Sequence, residues 1–142
     1  MFFNMGKKSP TTVKHYLLIG DSENWNVGFS KKIWGFAENT KGLWNTIATG
    51  DYVVFYITRP ISKVVGYGQI THKFENDSLI WKDEKLFERV IWRYKIKFEI
   101  INEIKEWKKG IKLPSTLVLL PSRKSISEEL FNSIQRELHN LK

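Results

Sequence analysis

The sequence predicts an α+β domain: a mixed β-barrel with short peripheral helices and one helix at the C-terminus. Three observations carry this. Strand-like apolar runs recur from His15 to Leu120, the helical stretches between them are few and brief, and the last segment is helical. There Leu130, Phe131, Ile134 and Leu138 fall at i, i+1, i+4 and i+8, one stripe of a helix. At 142 residues the chain makes one ordinary domain, and 42% hydrophobic content is enough for a packed interior.

Met1-Phe2-Phe3 and then Gly6-Lys7-Lys8-Ser9-Pro10 read as a flexible leader over 1–13, with the domain over 14–142. His15 to Ile19 is a first strand, closed by the turn residues Gly20 and Asp21. Ser22 is placed to cap a short helix over Glu23 to Phe29. Lys31 to Phe36 reads as extended, and Thr40 to Thr46 as one or two helical turns stopped by Gly50. Gly50-Asp51 then turns into Tyr52-Val53-Val54-Phe55-Tyr56-Ile57, the clearest strand of the chain. After Arg59-Pro60 a second strong strand runs from Lys63 to Thr71, where Gly66 and Gly68 mark a bulge or a close backbone approach. A polar turn at Glu75-Asn76-Asp77-Ser78 leads to Leu79-Ile80-Trp81.

Val90 to Ile101 alternates as a long half-buried strand. Trp92, Tyr94, Ile96, Phe98 and Ile100 share one side, and Arg93, Lys95 and Lys97 take the other. Lys105, Lys108, Lys109 and Lys112 then surround Trp107. The chain returns through Thr116 to Leu120, and Ser125 or Ser127 caps the final helix. The acidic pairs Asp83-Glu84 and Glu128-Glu129 read as solvated charges at helix starts.

The 23 Lys and Arg against 15 Asp and Glu leave a formal charge of +8, a balance that favours polyanionic partners. Six tryptophans are more than a core of this size requires, so one or two are available to a ligand. Basic charge with surplus aromatics suits bases that leave their stack. With no cysteine, disulfides, thiolate nucleophiles and cysteine-held zinc are excluded. No apolar run approaches membrane-spanning length and no signal-peptide core is present, so the expectation is a cytoplasmic protein with no membrane partner.

Hydrolase and metal chemistry find no motif: there is no G-x-S-x-G elbow, no H-E-x-x-H pair and no phosphate loop, and His15, His72 and His139 lie in separate elements. No cofactor is implied. The region from Gly20 to Phe36 differs. Asp21-Ser22-Glu23-Asn24 opens a helix, and Trp34-Gly35 follows ten residues after Asn24. An asparagine can read a base edge, a tryptophan can stack on the base, and a glycine leaves room for a ring against the backbone. On the residues alone the plainer reading, with Asn24 capping a turn and Trp34 in the core, is the favoured of the two.

The order Asp21-Ser22-Glu23-Asn24-Trp25, Ile33-Trp34-Gly35-Phe36, Thr49-Gly50-Asp51-Tyr52-Val53-Val54-Phe55-Tyr56 and Val64-Val65-Gly66-Tyr67-Gly68-Gln69-Ile70 resembles the EVE domain. EVE domains are relatives of the YTH domain within the PUA-like superfold. The likeness continues through Arg93-Tyr94-Lys95-Ile96-Lys97 and Leu120-Pro121-Ser122-Arg123-Lys124-Ser125-Ile126, covering roughly residues 15–140. It departs from the EVE pattern in the N-terminal leader and the compact loop at 58–63. The resemblance implies a PUA-like barrel that recognises a modified, flipped-out base in an aromatic cage without catalysis, on single-stranded or flipped-base DNA or RNA. By position it implies Trp34 as the first cage wall, Trp81 as the second facing it, Asn24 on the base edge, Ser22 and Gly35 beside them, and Leu86 closing the pocket. Lys31, Lys32, Arg93, Arg123 and Lys124 are the expected contacts to the nucleic-acid backbone. A dry aromatic slot prefers a methylated base by about 1–3 kcal/mol. Two rivals stand beside this reading. One is an ASCH-type PUA-like enzyme acting on a modified nucleoside or base, with Glu23 as its nearest acid; the other is a protein-interaction module with a basic face.

Overall fold

The computed structural model describes residues 13–113 and 125–141. The return segment Thr116 to Leu120, Arg123, Lys124 and all of the expected leader except Val13 lie outside them. Among the described residues six strands form one curled, half-barrel sheet: β1 (His15–Gly20), β2 (Ile33–Phe36), β3 (Tyr52–Ile57), β4 (Lys63–Glu75), β5 (Tyr94–Glu103) and β6 (Ser125–Ile126). Their order across the sheet is β2-β5-β4-β3-β1-β6. Among the described residues only β1 and β3 pair in parallel, and the crossover such a pair requires carries α1 (Ser22–Lys31), β2 and α2 (Lys41–Thr46). Helices α3 (Lys82–Phe87) and α4 (Glu128–Asn140) complete the α+β fold.

Both faces of the central strands are covered, so β3 reads as an unbroken apolar run. Its period of two sorts Val53, Phe55 and Ile57 into one core with Trp25, Ile96 and Phe98, while Val54 and Tyr56 join Phe131, Ile134 and Leu138 of α4 in a second. Ser127 caps α4, its Oγ accepting from the Leu130 amide at 3.0 Å. The expected irregularity at the β4 glycines is a register shift between Tyr67 and Gly68.

Four local expectations need correction. Helix α1 starts at Ser22 and is capped by Asp21, whose Oδ1 accepts from the Asn24 amide at 2.8 Å; it continues to Lys31, which is therefore helical rather than extended. Strand β4 runs to Glu75, past Thr71, because His72 to Glu75 pair with Lys97 to Tyr94. Lys95 sits on the polar side of β5 yet is fully buried, donating from Nζ to the Asn76 carbonyl, and burial lowers its pKa. Finally, β5 begins at Tyr94 rather than Val90. The amides of Ile91 and Trp92 each donate at 3.0 Å to the Glu84 carboxylate, which takes them away from any strand ladder.

Candidate functional site

Where the C-terminal end of β1, the start of α1, strand β2 and the loop after α3 meet, the surface opens into a cleft of about 280 Å³. That is near the lower limit of ligand clefts, which run from about 300 to 1,000 Å³, and suits a group the size of one base. Asn24, Trp34, Gly35, Trp81 and Trp92 line it together with Gly20. Sequence separation hides this grouping, and the sheet creates it: β2 pairs with β5 so that Gly35 lies opposite Lys95, which brings Trp34 beside the segment carrying Trp92.

The tryptophans are held at defined angles. Trp34 lies flat on Trp25, with centroids 3.9 Å apart and planes within 11°. Trp25 is itself fully buried and donates from Nε1 to the Tyr56 carbonyl at 2.9 Å, so one face of Trp34 is fixed and only the other can meet a ligand. Trp81 stands edge-on to Trp34 at 6.0 Å and 77°, and Trp92 edge-on to Trp81 at 5.7 Å and 74°. The expectation of two indoles facing each other is therefore corrected: the walls form right-angled corners, with the 2% exposed Trp81 as the back. Trp81 Nε1 donates to the Asn24 carbonyl at 3.2 Å, tying that wall to α1. The indole N–H groups of Trp25, Trp44 and Trp81 are spent on backbone carbonyls, whereas those of Trp34 and Trp92 have no hydrogen-bond partner among the described residues.

Leu86 does not close the cleft. It is 66% exposed on α3 and outside the lining, and Trp92 is the third indole there. Ser22 is also absent from the lining. Trp92 escaped the sequence reading because it fits the alternation of a long strand; its spacing from Trp81 carried no separate signal.

The group that positions Trp81 and Trp92 is Glu84, expected at a helix start and found there, but fully buried instead of solvated. Its Oε1 accepts from the amides of Ile80 at 2.9 Å and Trp81 at 3.2 Å, and its Oε2 from those of Ile91 and Trp92. One carboxylate thus clamps the backbone on both sides of the α3 loop. Burial pushes the Glu84 pKa upward, but the four amide donors outweigh it and hold the carboxyl below its ordinary value.

Gly35 sets the width of the corner. A Cβ there would come within 2.5 Å of the Trp92 Cβ and 3.0 Å of the Trp81 ring. Gly35→Ala is expected to push both indoles, to cost about 1–3 kcal/mol of stability as overpacking does, and to weaken ligand binding. Thermal unfolding and titration of the same variant check both.

The expected backbone contacts are dispersed. Lys31 and Lys32 are exposed at the end of α1, and Arg93 is exposed with its Nε donating to Asp77 Oδ1 at 2.7 Å; none of the three lines the cleft. Glu23, the acid available to the enzymatic alternative, is also outside the lining and pairs with Lys82 at 3.3 Å on the surface. Among the described residues no three His, Asp or Glu side chains group as a metal site, and no helix is long and apolar enough to cross a membrane.

No family model and no curated protein matches the chain. Solved structures do. The YTH domain of Zygosaccharomyces rouxii MRB1 in complex with N6-methyladenosine RNA aligns with a TM-score of 0.58 at 14% identity, over 93% of this chain and 90% of that one. The Pho92 YTH domain in complex with m6A aligns at 0.56 and 16% identity, over 93% and 87%. Rpa0253 from Rhodopseudomonas palustris aligns at 0.57 and 12%, over 92% and 96%. At such identities the likeness concerns the fold. The chain thus has an α+β half-barrel fold similar to that of YTH domains, among them one solved with N6-methyladenosine RNA and one with m6A.

Proposed function

We propose that this domain is a non-catalytic reader of single-stranded RNA that captures one modified base, with N6-methyladenine the best fit, in the cleft of Trp34, Trp81 and Trp92. The observation that carries the reading is the meeting of three indoles and Asn24 in one base-sized opening on this fold. A base stacks on the free face of Trp34, the N-methyl group lies in the apolar corner, and the Asn24 amide and the two free indole N–H groups supply hydrogen bonds to the base edge. The resemblance to EVE domains and the complexes of the YTH neighbours support the same ligand class. The enzymatic alternative is not favoured, because its one named acid is outside the cleft.

Titration of tryptophan fluorescence with short single strands tests this. RNA containing N6-methyladenosine is expected to quench emission at concentrations about 5- to 150-fold lower than the unmodified strand does, the range of about 1–3 kcal/mol. Matched DNA and 5-methylcytosine strands distinguish the ligand. Equal binding of methylated and unmethylated strands would remove the cage, and no binding to any strand at low salt would favour the protein-interaction reading.

A further inference from the structure

The basic segment after β5 is not used by the cleft. Trp107–Lys109 forms one 3₁₀ turn, fastened by the Lys63 Nζ donating to the Lys108 carbonyl at 2.9 Å and by a reciprocal pair of backbone N–H···O=C hydrogen bonds between Ile111 and Val64, each 2.8 Å. Half-buried Trp107 and Ile61 floor an open depression of about 490 Å³, rimmed by the exposed Lys105, Lys108 and Lys109 and by one acid, Glu106. The Trp107 indole N–H has no hydrogen-bond partner among the described residues. Lys105 pairs with Glu103 at 3.4 Å and Lys109 with Glu106 at 3.2 Å, both on the surface, where such pairs are weak and yield to a phosphate.

The depression and the cleft share no lining residue, but neighbouring residues connect them. A Cβ on Gly20 would come within 2.4 Å of the Trp34 ring, and the Gly20 carbonyl accepts from the Thr58 amide at 2.9 Å; the Thr58 carbonyl in turn accepts from the Ile61 amide at 3.2 Å. Inside, ring contacts of 3.9, 4.7 and 6.0 Å connect Trp34 through Trp25 and Phe29 to Trp107. Those contacts keep the Trp107 ring within about 15 Å of Trp34, a distance compatible with the roughly 4–16 nucleotides that one small single-strand-binding barrel covers.

We propose that the Trp107 depression is a second seat on the RNA strand whose modified base fills the cleft: another base of the strand stacks on Trp107 while its phosphates lie against Lys105, Lys108 and Lys109. An aromatic floor with a lysine rim is the combination that holds single strands without reading sequence. This inference rests on the proposed function, and its test separates the two.

The ligands are N6-methyladenosine as the nucleoside and single-stranded RNA nonamers, methylated once or unmethylated. The variants are Trp107→Ala and the surface pair Lys105→Ala with Lys108→Ala. Trp107→Ala is expected to weaken the methylated nonamer by about 5- to 100-fold and to leave the nucleoside unchanged. The lysine pair, which does not depend on refilling a packed site, is expected to reduce the slope of log affinity against log salt by about 1.4. Nonamer affinity unchanged by Trp107→Ala together with an unchanged salt slope would overturn the second seat and leave the cleft reading standing. Equal binding of methylated and unmethylated nonamers, with both variants still weakening them, would overturn the cleft and support the seat. No nonamer binding at all would overturn both.

Discussion

Glu84→Ala is expected to cost about 3–4 kcal/mol of folding stability and to abolish selective binding, although the side chain does not line the cleft. The carboxylate satisfies four backbone amides, those of Ile80, Trp81, Ile91 and Trp92. Removing it leaves buried donors unpaired, at about 1–3 kcal/mol each before water or local rearrangement recovers part of the loss. It also frees the backbone beside Trp81 and Trp92. Glu84→Gln is the finer test, because it keeps the volume while turning a carboxamide NH2 donor toward backbone amides that need an acceptor; about 2 kcal/mol is expected.

The pH dependence fixes the sign. The folded carboxyl lies below the ordinary value of 4.5, so between those limits the unfolded chain binds the proton and the folded chain does not. Stability from Glu84 is complete above that ordinary value and is lost as pH falls through the folded one. Urea unfolding of wild type and Glu84→Gln is therefore expected to differ at pH 7 and to converge in acid. A constant gap across that range would show that the clamp is not ionic.

Local pattern carried the framework. The run from Tyr52 to Ile57 became a strand with those limits, and the stripe of Phe131, Ile134 and Leu138 became the buried face of α4. Those signals are periodic, and the periodicity is set by burial. What escaped depends on groups brought together by the fold. An acidic pair before an apolar stretch is the usual sign of a solvated helix start, and Asp83 fits it; Glu84 is drawn inside because the loop behind it presents unpaired amides. The same carboxylate stops the strand pattern at Tyr94 and turns Trp92 from a sheet residue into a cleft residue. Lys95 is buried because a loop carbonyl, that of Asn76, reaches its ammonium. Of the candidate site, Asn24, Trp34 and Gly35 were legible as types and spacings and Trp81 only through the resemblance to EVE domains, and their angles were not.

Those angles make Trp34 the position of largest expected effect on binding. Its ring rests on Trp25 and wedges between Gly20 and Gly28, where an added Cβ would come within 2.4 Å and 3.0 Å of it. The backing leaves a single rigid, flat surface facing the cleft. Trp34→Ala removes that surface, and loss of base stacking worth about 1–3 kcal/mol is expected to lower affinity for the methylated strand by about 5- to 150-fold and to eliminate the preference over the unmethylated one. The vacated space beside Trp25 is expected to cost about 2–4 kcal/mol of stability as well, so Trp34→Phe is the companion variant: it retains a ring on Trp25 and part of the stacking surface, and is expected to fall between the two in affinity. Trp92→Ala separates the roles further. It leaves the Trp34 platform and its backing in place while opening the apolar corner, so base binding persists and the methylated-to-unmethylated ratio falls. Paired titrations with the two strands measure that ratio for each variant, and a folded Trp34→Ala protein that still discriminates like wild type would exclude this cleft as the place where the base is held.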